Sequence, residues 1–414
     1  MASTPQFDLN AAAGNVKDVY AGYEKALPKE AELMREFPFE EGDKVGGEYQ
    51  YGVELTRPHG HTTAAQGVFP ALNQPVARQV PKAKVQPFQH YLRDRVTYEV
   101  LARCAESKQA AKSEIGATVE AMVESMAFRQ EVFGFYGQKG LGVIGTVTAA
   151  SDRVTLTLES WASGIWAGNE GMVLTVRDAS GTFKKDVTIE AIDDENRYLT
   201  FNAGGANGLV ATDVLWFQGG SSTTEPGGLE AIISNTGLMH NINAATYGLW
   251  KSNLTTLDGT EDLGFKRVIQ LDARIRNRGG MGDQLCYISA NVYTTLIASV
   301  EAARDFGGTQ YKTAEIDRGT QQLRFHSPTG TSTIKAHPIV KNGDFFSLRK
   351  GKVWRAGATD PTATIPGEGG KVLFDLSDHP GKELRMMADS TWFCPRPAAL
   401  GMIKNIKFGG TVIS

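Results

Sequence analysis

Cysteine is scarce: Cys104, Cys286 and Cys394 are the three in the 414-residue chain. They are too few and too scattered for a disulfide framework or a zinc site, and they fit a reducing compartment. No run approaches the roughly 18 apolar residues of a membrane span. The opening MASTPQFDLN has neither the basic start nor the apolar stretch of a secretory signal, so synthesis and folding in cytoplasm are expected. A strong excess of one charge is missing too, and a net charge of -3 excludes a globally basic nucleic-acid binder. The compact catalytic signatures GxSxG, HExxH, GxGxxG and CxxC do not occur. PGEGGKV has Ile365 where a phosphate loop needs its first glycine and Val372 where it needs a hydroxyl, so it reads as a turn.

What is present describes an ordered protein. Hydrophobic residues make up 41% and charged residues 21% of the chain, which excludes disorder. At about 150 residues per domain the length suggests two or three domains. There are 46 glycines, about 11% against a usual ~7%, which implies many tight turns and short strands.

Patterning changes along the chain. Residues 1–46 hold two short helical stretches, VKDVYAGYEKAL and KEAELMREF, separated by Pro28. They offer too little apolar surface to fold alone, and a neighbouring subunit is one candidate for holding this arm. Residues 47–92 open with alternation in GEYQYGVEL and close with it in KVQPFQHYL, which predicts a long two-stranded excursion. From Lys108 to Tyr136 the spacing turns helical: Ile115, Val119, Met122, Met126, Val132, Phe133 and Tyr136 form one apolar stripe. Glu114, Glu120, Glu124 and Glu131 are expected largely off it. Residues 141–217 carry six β-branched or aromatic runs, the pattern of a small barrel or sandwich, with ten acids and five bases. Helical and strand patterns mix thereafter, so the barrel looks like an insertion in an α+β chain.

Several side chains invite a chemical reading. His59 and His61 in RPHGH could ligate a metal but lack further ligands, so a solvated loop is preferred. Arg274, Arg276 and Arg278 stand near a helix end, where capping or intersubunit salt bridges are expected ahead of phosphate binding. Trp161, Trp166 and Trp216 read as barrel core rather than a ligand platform. Asp193, Asp194 and Glu195 resemble a calcium loop in charge only and read as a hairpin turn. RQVPKAK is a weak basic stretch. No catalytic, cofactor-binding or metal-binding residue is assigned, and no cofactor is expected.

The order of arm, long loop, long helix, β-insertion, mixed region and late strands resembles a major capsid protein of tailed bacteriophages, with the fold first named for the Hong Kong ninety-seven phage. The most specific local pieces are KVQPFQHYLRDRVTYEVL running into VFGFYG, and TTEPGGLEAIISNTG after the insertion. The resemblance implies an N-terminal arm at 1–46, an extended E-loop at 47–92, and a peripheral domain with its spine helix at 93–140 and 381–414. It implies a β-rich insertion domain at 141–217 and a mainly axial domain at 218–380. It also implies a non-enzymatic subunit that forms hexamers and pentamers in an icosahedral virion shell. That shell would enclose double-stranded DNA, carry a portal, and assemble in host bacterial cytoplasm without a membrane.

Two departures qualify the resemblance. Some members cross-link through a lysine of the E-loop, yet from Gly46 to Pro81 this chain has no lysine, only Arg57 and Arg78. Lys82 and Lys84 lie near the loop's root, so a noncovalent lattice is expected. The spine helix begins near residue 108, so no cleaved prodomain is expected; a separate scaffolding protein, decoration proteins or intrinsic assembly remain open. The rival readings are an encapsulin-type cargo shell on the same fold, and a β-rich glycan-binding or hydrolase protein using Trp161 and Trp166 with the acidic turns.

Overall fold

A computed structural model describes residues 32–41, 44–45, 48–97, 108–305, 322–327, 330–362, 373–375 and 381–407. Helices are interspersed among strands that pair mainly antiparallel, so the class is α+β. The chain divides into two compact units. One comprises Met1–Gly42, Pro87–Gly134 and Trp354–Thr391; the other comprises Asp43–Gln86, Phe135–Val353 and Trp392–Ser414. Trp354–Thr362 joins the sheet of the first unit, whereas Gly401–Lys404 lies inside the sheet of the second.

The first unit is built on a five-stranded sheet in the order Phe39–Glu41, Trp354–Thr362, Gly381–Phe393, Leu373–Asp375, with Phe88–Thr97 also paired to Gly381–Phe393. That last antiparallel ladder runs from Gly381 opposite Thr97 to Ser390 opposite Phe88. Gly357 has no alternative residue here, because an added Cβ would stand 2.0 Å from the Asp389 carbonyl oxygen.

The helix Lys108–Tyr136 has 29 residues, about 43 Å at 1.5 Å per residue. Its stripe of Val119, Met122, Met126, Val132, Phe133 and Tyr136 is buried, and Glu124 is exposed. Glu131 corrects the expectation: it is 1% exposed, because residues 130–136 are buried on every face. Its carboxylate accepts the backbone N–H groups of Leu33 at 2.7 Å and Met34 at 3.1 Å.

Those donors open the short helix Glu32–Glu36, whose Leu33 and Met34, followed by Phe37, are buried. The chain then adds Phe39–Glu41 as a parallel strand, Phe39 opposite Arg355. Residues 32–41 are thus packed against their own chain. The predicted helix VKDVYAGYEKAL lies outside the described residues.

In the second unit, six antiparallel strands close a barrel: Tyr198–Phe201, Arg153–Leu156, Gly142–Thr148, Val214–Phe217, Val173–Arg177 and Phe183–Asp193. They coincide with the six runs seen in the sequence. Closure removes both sheet edges, and the inward residues Ile144, Val154, Leu156, Leu174, Val176, Leu199, Phe201 and Leu215 are at most 1% exposed. The segment at 159–164 is fastened to the loop at 338–343 by backbone bonds. Gly164 N donates to Pro338 O at 3.2 Å, Asn342 N to Trp161 O at 3.0 Å and Gly343 N to Glu159 O at 2.9 Å. A Cβ on Gly164 would meet Pro338 backbone at 2.7 Å, so glycine permits that approach.

A six-stranded mixed sheet follows the order Asn253–Thr256, Gly401–Lys404, Phe345–Arg349, Gln284–Ile288, Gly330–Ala336, Gln322–Ser327. The helix Phe265–Asn277 buries Val268, Leu271 and Ile275, the three- and four-residue spacing of one face. Leu271 and Ile275 lie over Gly401, where a Cβ would approach both to 2.9 Å. The core continues through Ile288, Val292, Leu296, Ile334, Phe345 and Ile403.

Candidate functional site

The most exposed apolar feature is the ribbon formed by residues 48–86. At its root Glu48–Gly52 pairs with Lys82–Val85, Tyr49 opposite Val85 and Gly52 opposite Lys82. Pairing continues through Val53 N to Pro81 O at 3.0 Å and Leu55 N to Gln79 O at 3.1 Å. His59 and Val76 then exchange backbone bonds at 3.0 and 2.9 Å. Beyond that bridge, Asn73 donates from its backbone to Thr62 Oγ1 at 2.9 Å and from Nδ2 to the His61 carbonyl at 2.8 Å. Pro58, Pro70, Pro75 and Pro81 remove donors along the excursion.

The root is anchored and the remainder is bare. Tyr49, Val53, Leu55, Ala83 and Val85 are buried, and Tyr51 stacks on Phe393 with ring centroids 4.6 Å apart. His240 meets the same Phe393 ring edge-on at 5.3 Å and accepts the Lys84 N–H at its carbonyl, 2.9 Å away. Burial pushes the His240 imidazole down to about 4. From residue 57 to 80 every position except Thr62 is exposed, with Phe69 at 101% and Leu72 at 85%. Val68, Val76 and Val80 extend this apolar surface.

Residues singled out in the sequence fall into other settings. His59 and His61 are exposed on the ribbon, and among the described residues no group of three or more His, Cys, Asp or Glu side chains could hold a metal. Trp161 and Trp166 stack at 6.2 Å in the interior, at most 1% exposed, so neither offers a face to a glycan. Trp161 Nε1 donates to Asp194 Oδ1 at 3.1 Å. Asp193 closes a hairpin turn, held down to about 2 by hydrogen bonds from Tyr198 and Asn196. The acidic turn therefore organises its own backbone. Cys286 and Cys394 are buried, and burial pushes both thiols up to about 12; Cys104 lies outside the described residues.

The arginines near the helix end bind within the chain. Arg276 Nε donates to Asp272 Oδ2 at 2.6 Å, Arg274 Nη1 to Thr255 Oγ1 at 2.8 Å, and Arg278 Nη1 to the Lys251 carbonyl at 3.0 Å. The Arg276–Asp272 pair lies within the helix, and Arg274 and Arg278 reach a hydroxyl and a carbonyl of the segment 251–255.

A buried polar cluster escaped the sequence reading. Lys341 N–H donates to Tyr136 Oη at 2.7 Å, and its Nζ donates to the Gly140 carbonyl at 2.9 Å while lying 3.9 Å from the Tyr136 ring centroid. Lys404 pairs with Glu230. Burial, then Glu230, raises Asp344 to about 7, and burial, then Asp344, pushes the Tyr136 hydroxyl well above its ordinary value. Burial lowers Lys341, whereas Lys404, opposed by burial, is raised by Glu230 and Asp344. Charges that face one another inside the protein fit an internal lock better than a reaction centre. The only hint in the sequence is Asp344 standing directly before the apolar run Phe345–Phe346.

No protein-family model matches the chain, and no curated protein matches it. Solved structures do. The capsid of cyanophage A-1(L) aligns with a TM-score of 0.50 and 11% identity, covering 91% of this chain and 93% of that one. The capsid of a native GTA particle aligns at 0.46 and 7% identity, covering 91% and 90%. The SrpI encapsulin of Synechococcus elongatus aligns at 0.41 and 9% identity, covering 94% and 92%. The cyanophage alignment extends over nine-tenths of both chains, and the chain therefore has the α+β fold of tailed-phage major capsid proteins, the fold named for the Hong Kong ninety-seven phage.

Proposed function

We propose that the protein is a structural shell subunit, the major capsid protein of a tailed bacteriophage. Its copies would associate as hexamers and pentamers into an icosahedral shell around double-stranded DNA. The observation that carries this reading is the ribbon, whose apolar outer part at Phe69 and Leu72 is exposed while its root is buried. A two-stranded ribbon is marginal alone in water, and exposed apolar patches mark protein contacts. Covering by a neighbouring copy resolves both. Head-to-tail contacts between identical subunits close rings, and obligate interfaces bury on the order of 2,000–5,000 Å².

In this reading residues 1–46 are the arm, 47–92 the E-loop, 93–140 with 381–414 the peripheral domain, 141–217 the insertion domain and 218–380 mainly the axial domain. The insertion, with ten acids against five bases, faces away from DNA. The subunit carries no catalytic residue or cofactor, meets a portal in the virion, and assembles in host bacterial cytoplasm. Its lattice is noncovalent: the ribbon has no lysine before Lys82, and Lys84 is already paired with Glu48 at 3.3 Å. Negative-stain microscopy and mass photometry of the purified chain test this. Closed shells or hexamers support the proposal, and a lone subunit persisting at high concentration refutes it. A ladder of covalent oligomers on a boiled denaturing gel refutes the noncovalent part.

A further inference from the structure

Three chain segments bring arginines together around the loop at residues 279–283. Arg276 lies in the last turn of Phe265–Asn277, Arg349 ends the strand Phe345–Arg349 opposite Gln284, and Arg396 precedes the turn Pro397–Ala399. The loop is pressed against two of them. A Cβ on Gly279 would stand 2.6 Å from Arg396 Nη2, and one on Gly282 would stand 3.2 Å from Arg349 Nη2. Both glycines have positive φ, +78° and +112°, so side chains are excluded on conformational grounds as well. Arg396 Nη2 also reaches the Arg278 carbonyl at 3.4 Å. The Arg276 side chain is 8% exposed and bonded to Asp272, while Arg349 and Arg396 are half-buried. Lys350 and Lys352 are exposed on the turn that follows Arg349.

Opposite charge is in short supply. Asp272 is committed to Arg276, and Asp283 accepts the Thr331 N–H at 3.0 Å. Among the described residues no carboxylate pairs with Arg349 or Arg396. Burial, then Arg396 and Arg276, holds the Arg349 guanidinium below its ordinary value. The carbonyl end of the helix offsets only part of such repulsion. Half-buried guanidiniums held together without counter-charge are a liability to the folded chain unless an anion completes them, and guanidinium geometry matches phosphate oxygens in bidentate fashion.

We propose that Arg276, Arg349 and Arg396, arranged around the 279–283 loop, form a binding site for a phosphate-bearing anion. The site lies within one unit of a single chain and does not depend on shell formation. The test uses the purified full chain in low-salt, phosphate-free buffer with tripolyphosphate as the probe, read by calorimetry and thermal unfolding. Tripolyphosphate should bind, and Arg349→Gln and Arg396→Gln should each weaken it by about tenfold or more. Arg349→Lys, which keeps the charge and loses the fork, should weaken it less and serves if the glutamine variants fold poorly. Without anion, Arg349→Gln should melt no lower than the parent, because it relieves repulsion. Displacement of tripolyphosphate by a short DNA duplex, lost in Arg349→Gln, identifies a nucleic-acid backbone as the source; its absence identifies a free oligophosphate. No binding of tripolyphosphate, unchanged binding in all three variants, or a lower anion-free melting point in Arg349→Gln overturns the proposal.

Discussion

Glu131 caps a helix to which it is remote in sequence: its carboxylate accepts the Leu33 N–H at 2.7 Å from the buried C-terminal part of another helix. The first N–H groups of any helix lack intrahelical partners, and Glu131 satisfies two of them with a charge placed where the helix dipole favours it. Glu131→Ala should cost about 2 kcal/mol by orphaning those donors. Glu131→Gln, which keeps an acceptor, should cost less. Urea unfolding gives the stability, and limited proteolysis should show cleavage gained within residues 32–41 in the alanine variant alone.

Acid should destabilise the second unit through His240. Its folded value, about 4, lies below the ordinary 6.5, so the contribution is present above pH 6.5 and is lost as pH falls through about 4. Asp344 has the opposite sign: raised from 3.8 to about 7, it contributes most below its unfolded value and loses that contribution as pH rises through about 7. His240 has φ +48°, a conformation that asparagine tolerates. Melting temperatures of His240→Asn between pH 4 and 8 should therefore show a shallower acid decline than the parent; an equal decline would exclude His240 as its source.

Phe69→Ser combined with Leu72→Ser should leave the isolated fold within about 0.5 kcal/mol, because both side chains are already in water. Self-association should nevertheless be abolished. Sedimentation velocity separates the two effects, and shells formed by the double variant would remove the ribbon tip from the assembly surface.

Gly357→Ala should cost about 3 kcal/mol or more, since the added methyl meets a strand carbonyl rather than a movable side chain. Chemical denaturation of the variant measures this directly, and a near-neutral result would mean the two strands can separate at that point.

Much of the architecture could be read from the sequence because the pattern and the environment agree. The helix Lys108–Tyr136 matches its predicted ends, and the six barrel strands follow period-two runs that face one interior. Glu131, Lys341 and Asp344 were missed for a common reason. Charge periodicity reports solvent on the free face of an element, and these residues face polar groups supplied by remote segments, which local spacing does not encode. The ribbon was foreseen from alternation at its two ends, whereas its exposed apolar tip emerged only once the buried root had been located. The arginine site depends on Arg349 and Arg396 reaching the same loop from distant positions.

The strand Gly401–Lys404 lies between Asn253–Thr256 and Phe345–Arg349 in the six-stranded sheet. A ribosome making this protein must therefore extrude Lys404 before that sheet can close, so the barrel, complete by Phe217, can mature on the nascent chain while the sheet waits with an open slot. Translation order thus leaves a window in which a chaperone can act on the open sheet, and it delays the sheet's closure until the polypeptide is nearly finished.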